Sequence, residues 1–271
     1  MGPTAEESEV EVGLRQLLSG SDADAKYDAL SGSMGGKILN ADLAREISPR
    51  YRTREDRLKF THATYLPASE YVYQRYVRAV REGYKLVVLL AGGAASGKTT
   101  SLSTLLENDD ISVIFDSNCA SFVQAEKMID DAIAANCAVL CIYMHRNFKA
   151  AVEAMIERAE RDGRCIPLKS DNGQDLPTLH WRVQRAFLQL AHRFRGNKSV
   201  GFVCMRNGWS PESREKPRMI AMSSLDEGGK RSYSSTEELY AIQEDVLSQL
   251  RDSISTDVRR AIGAGEPSEA A

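Results

Sequence analysis

The chain predicts an α/β fold: a three-layer domain on a mostly parallel sheet, with helical additions at both ends. Three observations predict it. Short apolar runs alternate with amphipathic stretches through the middle of the chain, as in strand–helix–strand units whose sheet is covered on both faces. The runs KLVVLLA (85–91), ISVIF (111–115) and AVLCIYM (138–144) are apolar almost throughout, as strands buried on both sides are. The first run feeds Gly92-Gly93-Ala94-Ala95-Ser96-Gly97-Lys98-Thr99, a glycine, four free positions and then Gly-Lys-Thr.

Taken in order, residues 1–34 are rich in Ser, Gly, Asp, Glu and Ala, and read as a flexible arm with one short helical patch around Val12–Leu18. Residues 35–67 form a helical and irregular extension, with a short helix over 41–47 and a polar, basic stretch over 51–65. A long helix is expected after Pro67, with Tyr73, Tyr76, Val77 and Val80 on its apolar stripe and Gly83 at its end. The core spans 68–225. Within it come the strand at 85–91, a helix from Thr99 to Leu106, a strand stopping at Asp116, a helix over 121–135 and a strand over 138–144. A helix over 148–161 follows, then a break at Gly163, a polar loop over 169–175 and a helix over 179–194. A strand over 198–205 and a short strand over 218–223 close the core. Residues 226–271 are a C-terminal helix and tail: Ser234 or Ser235 caps a helix from Thr236 that runs towards Ile262.

Composition narrows the class. The 271 residues are 42 % hydrophobic, enough for a sizeable core, and 35 Lys and Arg against 38 Asp and Glu leave a formal charge of −3. That balance makes a nucleic-acid or membrane partner unexpected. The basic patch from Arg50 to Lys59 lacks interleaved stacking aromatics. The five cysteines include no pair of pairs with metal-site spacing and read as buried free thiols. With an acidic N-terminus that lacks a secretory apolar core, they point to a reducing, cytoplasmic setting. No apolar run reaches the length of a membrane span.

The glycine-rich segment carries the first chemistry. Gly92 and Gly97 allow backbone angles closed to other residues and leave room for phosphate oxygens. The amides of Gly93, Ala94, Ala95, Ser96, Gly97 and Thr100 and the charge of Lys98 suit a polyphosphate, and the Thr99 hydroxyl suits Mg²⁺. Asp116 ends a predicted parallel strand, the edge where ligands bind in open α/β sheets. It could accept a proton from an attacking hydroxyl, help hold Mg²⁺, or simply cap a turn. The third strand ends at His145 without a carboxylate, which argues against a standard ATPase or GTPase. His145 reads as a pocket residue or a strand-end polar group. Arg158, Arg161 and Arg164 cluster at the end of the next helix and could meet phosphoryl oxygens or face solvent beside Glu157 and Glu160. Asp42, Arg45, Thr61, His62, Thr64 and His180 are weaker candidates for substrate contact.

GGKILNADLAR, then HAT and a long helix, GGAASGKTT, FDSN and ERAERDGR together resemble the zeta-toxin-like P-loop kinases over about residues 35–205. That resemblance implies transfer of the γ-phosphate of ATP, with Mg²⁺, to a hydroxyl of a nucleotide sugar or dinucleotide. It assigns phosphate binding to Lys98, Mg²⁺ to Thr99, the base to Asp116, and the phosphate clamp to Arg158 and Arg164, with Arg161 able to replace either. It also makes an antitoxin-like partner, covering the ATP mouth, an expectation. The family's loop carries glycine where this chain has Ala95, which permits the same loop if its backbone angles stay negative. FDSN is looser than the family's acidic substrate-binding run, and the acceptor is not carried over. Closure of residues 157–175 over the substrates is expected to exclude water. The competing readings are a nucleotide-binding interaction protein with little turnover and a polynucleotide 5′-hydroxyl kinase.

Overall fold

The computed structural model describes residues 3–82, 86–98, 111–170, 173–208, 215–225, 233 and 235–264. The expected helix over 99–106, with Thr99 and Thr100, lies outside the described residues, as do Gly83, Lys85 and Ser234.

A six-stranded sheet organises the chain. Its strands are β1 (Ile38–Asn40), β2 (Leu86–Ala91), β3 (Ile111–Asp116), β4 (Ala138–Arg146), β5 (Val200–Asn207) and β6 (Arg218–Ile220), in the order β1-β3-β2-β4-β5-β6. All neighbours are parallel except β6, which runs antiparallel to β5. The helices are α1 (Ala5–Ser19), α2 (Ala23–Asp28), α3 (Ala41–Arg45), α4 (Arg54–Arg81), α5 (Phe122–Ala134), α6 (Phe148–Asp162), α7 (Leu176–Arg193), α8 (Thr236–Gln249) and α9 (Thr256–Ile262). The α/β class is as the sequence predicts. Both sheet faces are buried. Val87, Leu89, Val113 and Phe115 pack on one side with residues of α1, α4, α5 and α7, while Val88, Leu90, Ile114 and Ile142 occupy the other. This two-residue alternation within apolar runs is what a doubly covered sheet needs.

Several boundaries differ from the sequence reading. The expected flexible arm of residues 1–34 is instead helical over α1 and α2. Thr4 and Glu7 form a capping box at the start of α1, and Leu14 and Tyr27 are fully buried. Each such apolar side chain contributes about 1.5–3 kcal/mol on burial, enough to order a segment whose composition alone reads as loose. The stretch 51–65, read as polar and basic, is mostly helix: Thr53 and Asp56 cap α4, and Pro67 lies inside it rather than before it. The boundary at residue 68 also shifts, because β1 comes from the 35–67 extension and hydrogen-bonds to β3 as the sheet's edge. The C-terminal helix, expected to run towards Ile262, breaks at Leu250 and resumes as α9. Its apolar face packs with α6 in a second cluster that includes Phe148, Met155, Leu239, Val246 and Val258.

The consequence for function lies in strand order. Strand β2 has β3 on one side and β4 on the other, so the chain leaves the middle of the sheet in opposite directions after successive strands. A crevice opens beyond the carboxyl ends at such a switch point. The glycine-rich loop leaves β2 there.

Candidate active site

The loop is built by close approach. Gly92 has φ +152° and Gly97 φ +89°, both outside the comfort of residues with a side chain. A Cβ on Gly92 would press on Ser96 Oγ and the Met144 carbonyl, and one on Gly93 would overlap the His180 ring. Ala95 sits at φ +56°. The condition of negative angles is therefore not met: alanine holds a left-handed conformation that costs an L-residue roughly 1–2 kcal/mol. Lys98 Nζ folds over the loop and donates to Gly92 O at 2.7 Å and Gly93 O at 3.1 Å. Burial lowers the Lys98 pKa, and the charge of Asp116 opposes that fall.

Asp116 occupies the carboxyl end of β3, in register with Leu90 of β2 and Asn40 of β1. It is 5 % exposed. Its Oδ2 accepts a hydrogen bond from Asn40 Nδ2 at 2.6 Å. Asn40 Oδ1 also accepts from the Asp42 amide at 2.6 Å, capping α3. One asparagine thus fixes both the Asp116 carboxylate and the start of the helix that carries Asp42 and Arg45.

That helix meets the arginines of α6. Asp42 Oδ1 accepts from Arg45 Nη1 at 2.9 Å, and its Oδ2 from Arg158 Nη2 at 2.9 Å. Burial opposes ionisation of Asp42, but Arg45, Arg158 and Arg164 outweigh it and hold the carboxyl at about 2. Arg164 is fastened to Asp162 through its own amide and through Nη2 at 3.0 Å, the turn being made by Gly163 at φ +78°. Arg161 points away, with 71 % of its side chain exposed. Of the three clustered arginines, Arg158 and Arg164 therefore face the charges around Asp42. The charges of Asp116, Asp42 and Arg158 all act on Lys98, so the loop, the end of β3 and the end of α6 share one electrostatic neighbourhood.

The remaining candidates are held by the scaffold or exposed. His62 is exposed. Thr61 and Thr64 bond back to the α4 carbonyls of Arg57 and Phe60, and Arg45 is buried against Tyr51. His180, a weaker candidate for substrate contact, lies beneath the loop, with Nε2 2.9 Å from Ala94 O. Burial drives its pKa down to about 3, so it is neutral. His145 is buried in the same aromatic layer, its ring 5.4 Å from that of Tyr233. Three residues not singled out from sequence belong to the site's frame: Asn40 beside Asp116, Arg146 on the Ala95 carbonyl at 2.7 Å, and Asn207 on the Ser96 carbonyl at 2.9 Å. Among the described residues no cluster of His, Cys, Asp and Glu is gathered to hold a metal ion by itself, and no helix is long and apolar enough to cross a membrane.

No family model and no curated protein matches the chain. Among solved structures it is similar to the AvrRxo1-ORF1:AvrRxo1-ORF2 complex in its native form, at TM-score 0.41 and 11 % identity over 74 % of this chain and 86 % of that one. Crystal structures of that pair with sulphate ions and with ATP match at TM-score 0.40, with 12 % and 11 % identity. They cover 70 % and 77 % of this chain and 81 % and 89 % of theirs. A likeness this loose carries no residue-by-residue reading, and the chemistry rests on this chain's own side chains.

Proposed function

We propose that this chain is an ATP-dependent phosphotransferase that moves the γ-phosphate to a hydroxyl of a nucleotide sugar or another nucleotide-like small molecule. The observation that carries the reading is that Lys98 on the loop feels the charges of Asp116 at the end of β3 and of Arg158, which is bridged to Asp42. The loop amides and Lys98 would take the ATP phosphates. Asp116, held by Asn40, would orient the acceptor hydroxyl and receive its proton. Arg158 and Arg164 would steady the transferred group, where guanidinium charge matches the equatorial oxygens.

Mg²⁺ fits the donor set, because an ion that arrives with a nucleotide needs only one or two protein oxygens. The Asp116 carboxylate and the Thr99 hydroxyl are the groups that would hold it, and it would supply neutralisation of the phosphate charge. A protein partner covering the mouth of the site fits the same reading, as does closure of residues 157–175.

Labelled ATP offered with nucleotide sugars, dinucleotides and a 5′-hydroxyl oligonucleotide tests the proposal. Label on a small acceptor supports it, whereas label on the oligonucleotide favours a polynucleotide kinase. Tight ATP binding without transfer to any of them favours a nucleotide-binding interaction protein. Lys98→Ala and Asp116→Ala should each abolish transfer, but only Lys98→Ala should strongly weaken ATP binding. Equal loss of ATP binding in both would remove Asp116 from the role of base.

A further inference from the structure

Consecutive carbonyls of the loop are held by side chains from three different elements. His180 Nε2 on α7 meets Ala94 O at 2.9 Å, Arg146 Nη1 at the end of β4 donates to Ala95 O at 2.7 Å, and Asn207 Nδ2 at the end of β5 donates to Ser96 O at 2.9 Å. Arg146 and Asn207 are register partners, so two of these tethers rise from adjacent strand ends. A peptide is planar and trans, so a carbonyl drawn to one side turns the N–H of the same peptide to the other. The N–H of the Ala95–Ser96 peptide accordingly turns into the loop, where it donates to Gly93 O at 3.3 Å, so the tethers fix the turn that shapes the loop around Ala95.

Ala95 is where this matters most. Glycine takes a left-handed φ freely, whereas alanine does so only when its surroundings over-determine it. The tether on Ala95 O is the guanidinium of Arg146, itself 9 % exposed. That buried guanidinium commits Nη1 to the backbone of the loop. The backbone that carries the guanidinium is fixed as well, because Tyr233 OH donates to the Arg146 carbonyl.

Resting on the nucleotide-binding reading of the loop, we infer that Arg146 is a positioning residue that holds Ala95 in its left-handed conformation and so keeps the loop shaped for a polyphosphate. The tether does here what the backbone freedom of glycine would do at the same position. His180 and Asn207 hold the flanking peptides, leaving Ala95 as the point where strain and restraint meet. It follows that the need for Arg146 depends on which residue stands at position 95. A group that merely attracts the nucleotide's charge would show no such dependence.

Four full-length proteins decide it: the natural chain, Arg146→Met, Ala95→Gly and the double variant. ATP affinity is measured by calorimetry and exchange of the loop amides by mass spectrometry in the nucleotide-free proteins. With Ala95 in place, Arg146→Met should weaken ATP binding about tenfold and speed loop exchange. In the Ala95→Gly background the loss should shrink to about twofold, a coupling in the range of contacting residues. An equal loss in both backgrounds, or unchanged exchange in Arg146→Met, overturns the inference. If the natural chain binds no ATP, the nucleotide reading fails, and the exchange comparison still decides whether Arg146 holds the loop. Should Arg146→Met not fold, Arg146→Gln, which keeps a shorter amide donor, enters the same cycle in its place.

Discussion

Asn40 and Asp116 stand side by side at the carboxyl ends of two parallel strands, the Asn40 amide donating to the Asp116 carboxylate at 2.6 Å. The pair joins a segment near the N-terminus to the middle of the sheet. It also sets the orientation of the carboxylate proposed as the base.

Asn40→Asp isolates that orientation. An aspartate keeps an oxygen to cap α3 but replaces the donor facing Asp116 with a like charge, which raises the pKa of the pair. A base acts only when deprotonated, so the acid limb of the pH–rate profile should move to higher pH. Turnover at neutral pH should fall by on the order of tenfold or more. ATP affinity, measured separately, should stay close to that of the natural chain. A profile that does not move would place Asp116 outside proton transfer.

The clustered arginines should separate cleanly. Arg161 lies 71 % exposed and pairs only with Asp162, its neighbour, among the contacts of the described residues, so Arg161→Ala should leave stability within about 0.5 kcal/mol and transfer unchanged. Arg158 bridges to Asp42, and Arg158→Ala should lower turnover about a hundredfold, the scale of removing one donor aimed at developing charge. Steady-state kinetics on both variants reads this directly. Comparable losses would remove Arg158 from the proposed role at the phosphoryl group.

His180 gives the protein a definite response to acid. Its folded pKa is pushed down to about 3 by burial, while an unfolded histidine titrates near 6.5. Between those values the unfolded chain binds a proton that the folded chain does not, so stability falls as pH drops. At pH 5 the loss is roughly 2 kcal/mol. His180→Gln, which can still donate to Ala94 O, removes that titration. Urea unfolding at pH 7 and pH 5 should therefore show a gap between the natural chain and the variant that shifts by this amount in favour of the variant at the lower pH.

What the sequence made legible was local, and what it hid was set by register. The loop, the strand before it and Asp116 lie within one continuous stretch, and each is marked by residue type. Asn40, Arg146 and Asn207 carry no such mark: their roles exist because Asn40 pairs with Asp116 and Arg146 with Asn207 across strands. Proline misled at position 67, where tertiary packing buries it within α4. Composition misled over residues 5–28, where the capping box of Thr4 and Glu7 was the signal that could have found α1. Ala95 was noticed for its identity, but only the backbone reveals its positive φ.

Strand β1 carries a further consequence. As an edge strand its one sheet neighbour among the described residues is β3, and Asn40 lies 76 residues ahead of Asp116 in the chain. Closing so long a loop costs entropy before any ladder bond offsets it. On a growing chain, β1 must wait for β3 to emerge, although the loop after β2 has already been made. On the proposed reading, a chain in which that outermost ladder opens keeps the glycine-rich loop and loses the Asn40 hydrogen bond to the carboxylate proposed as the base: it holds a nucleotide without using it.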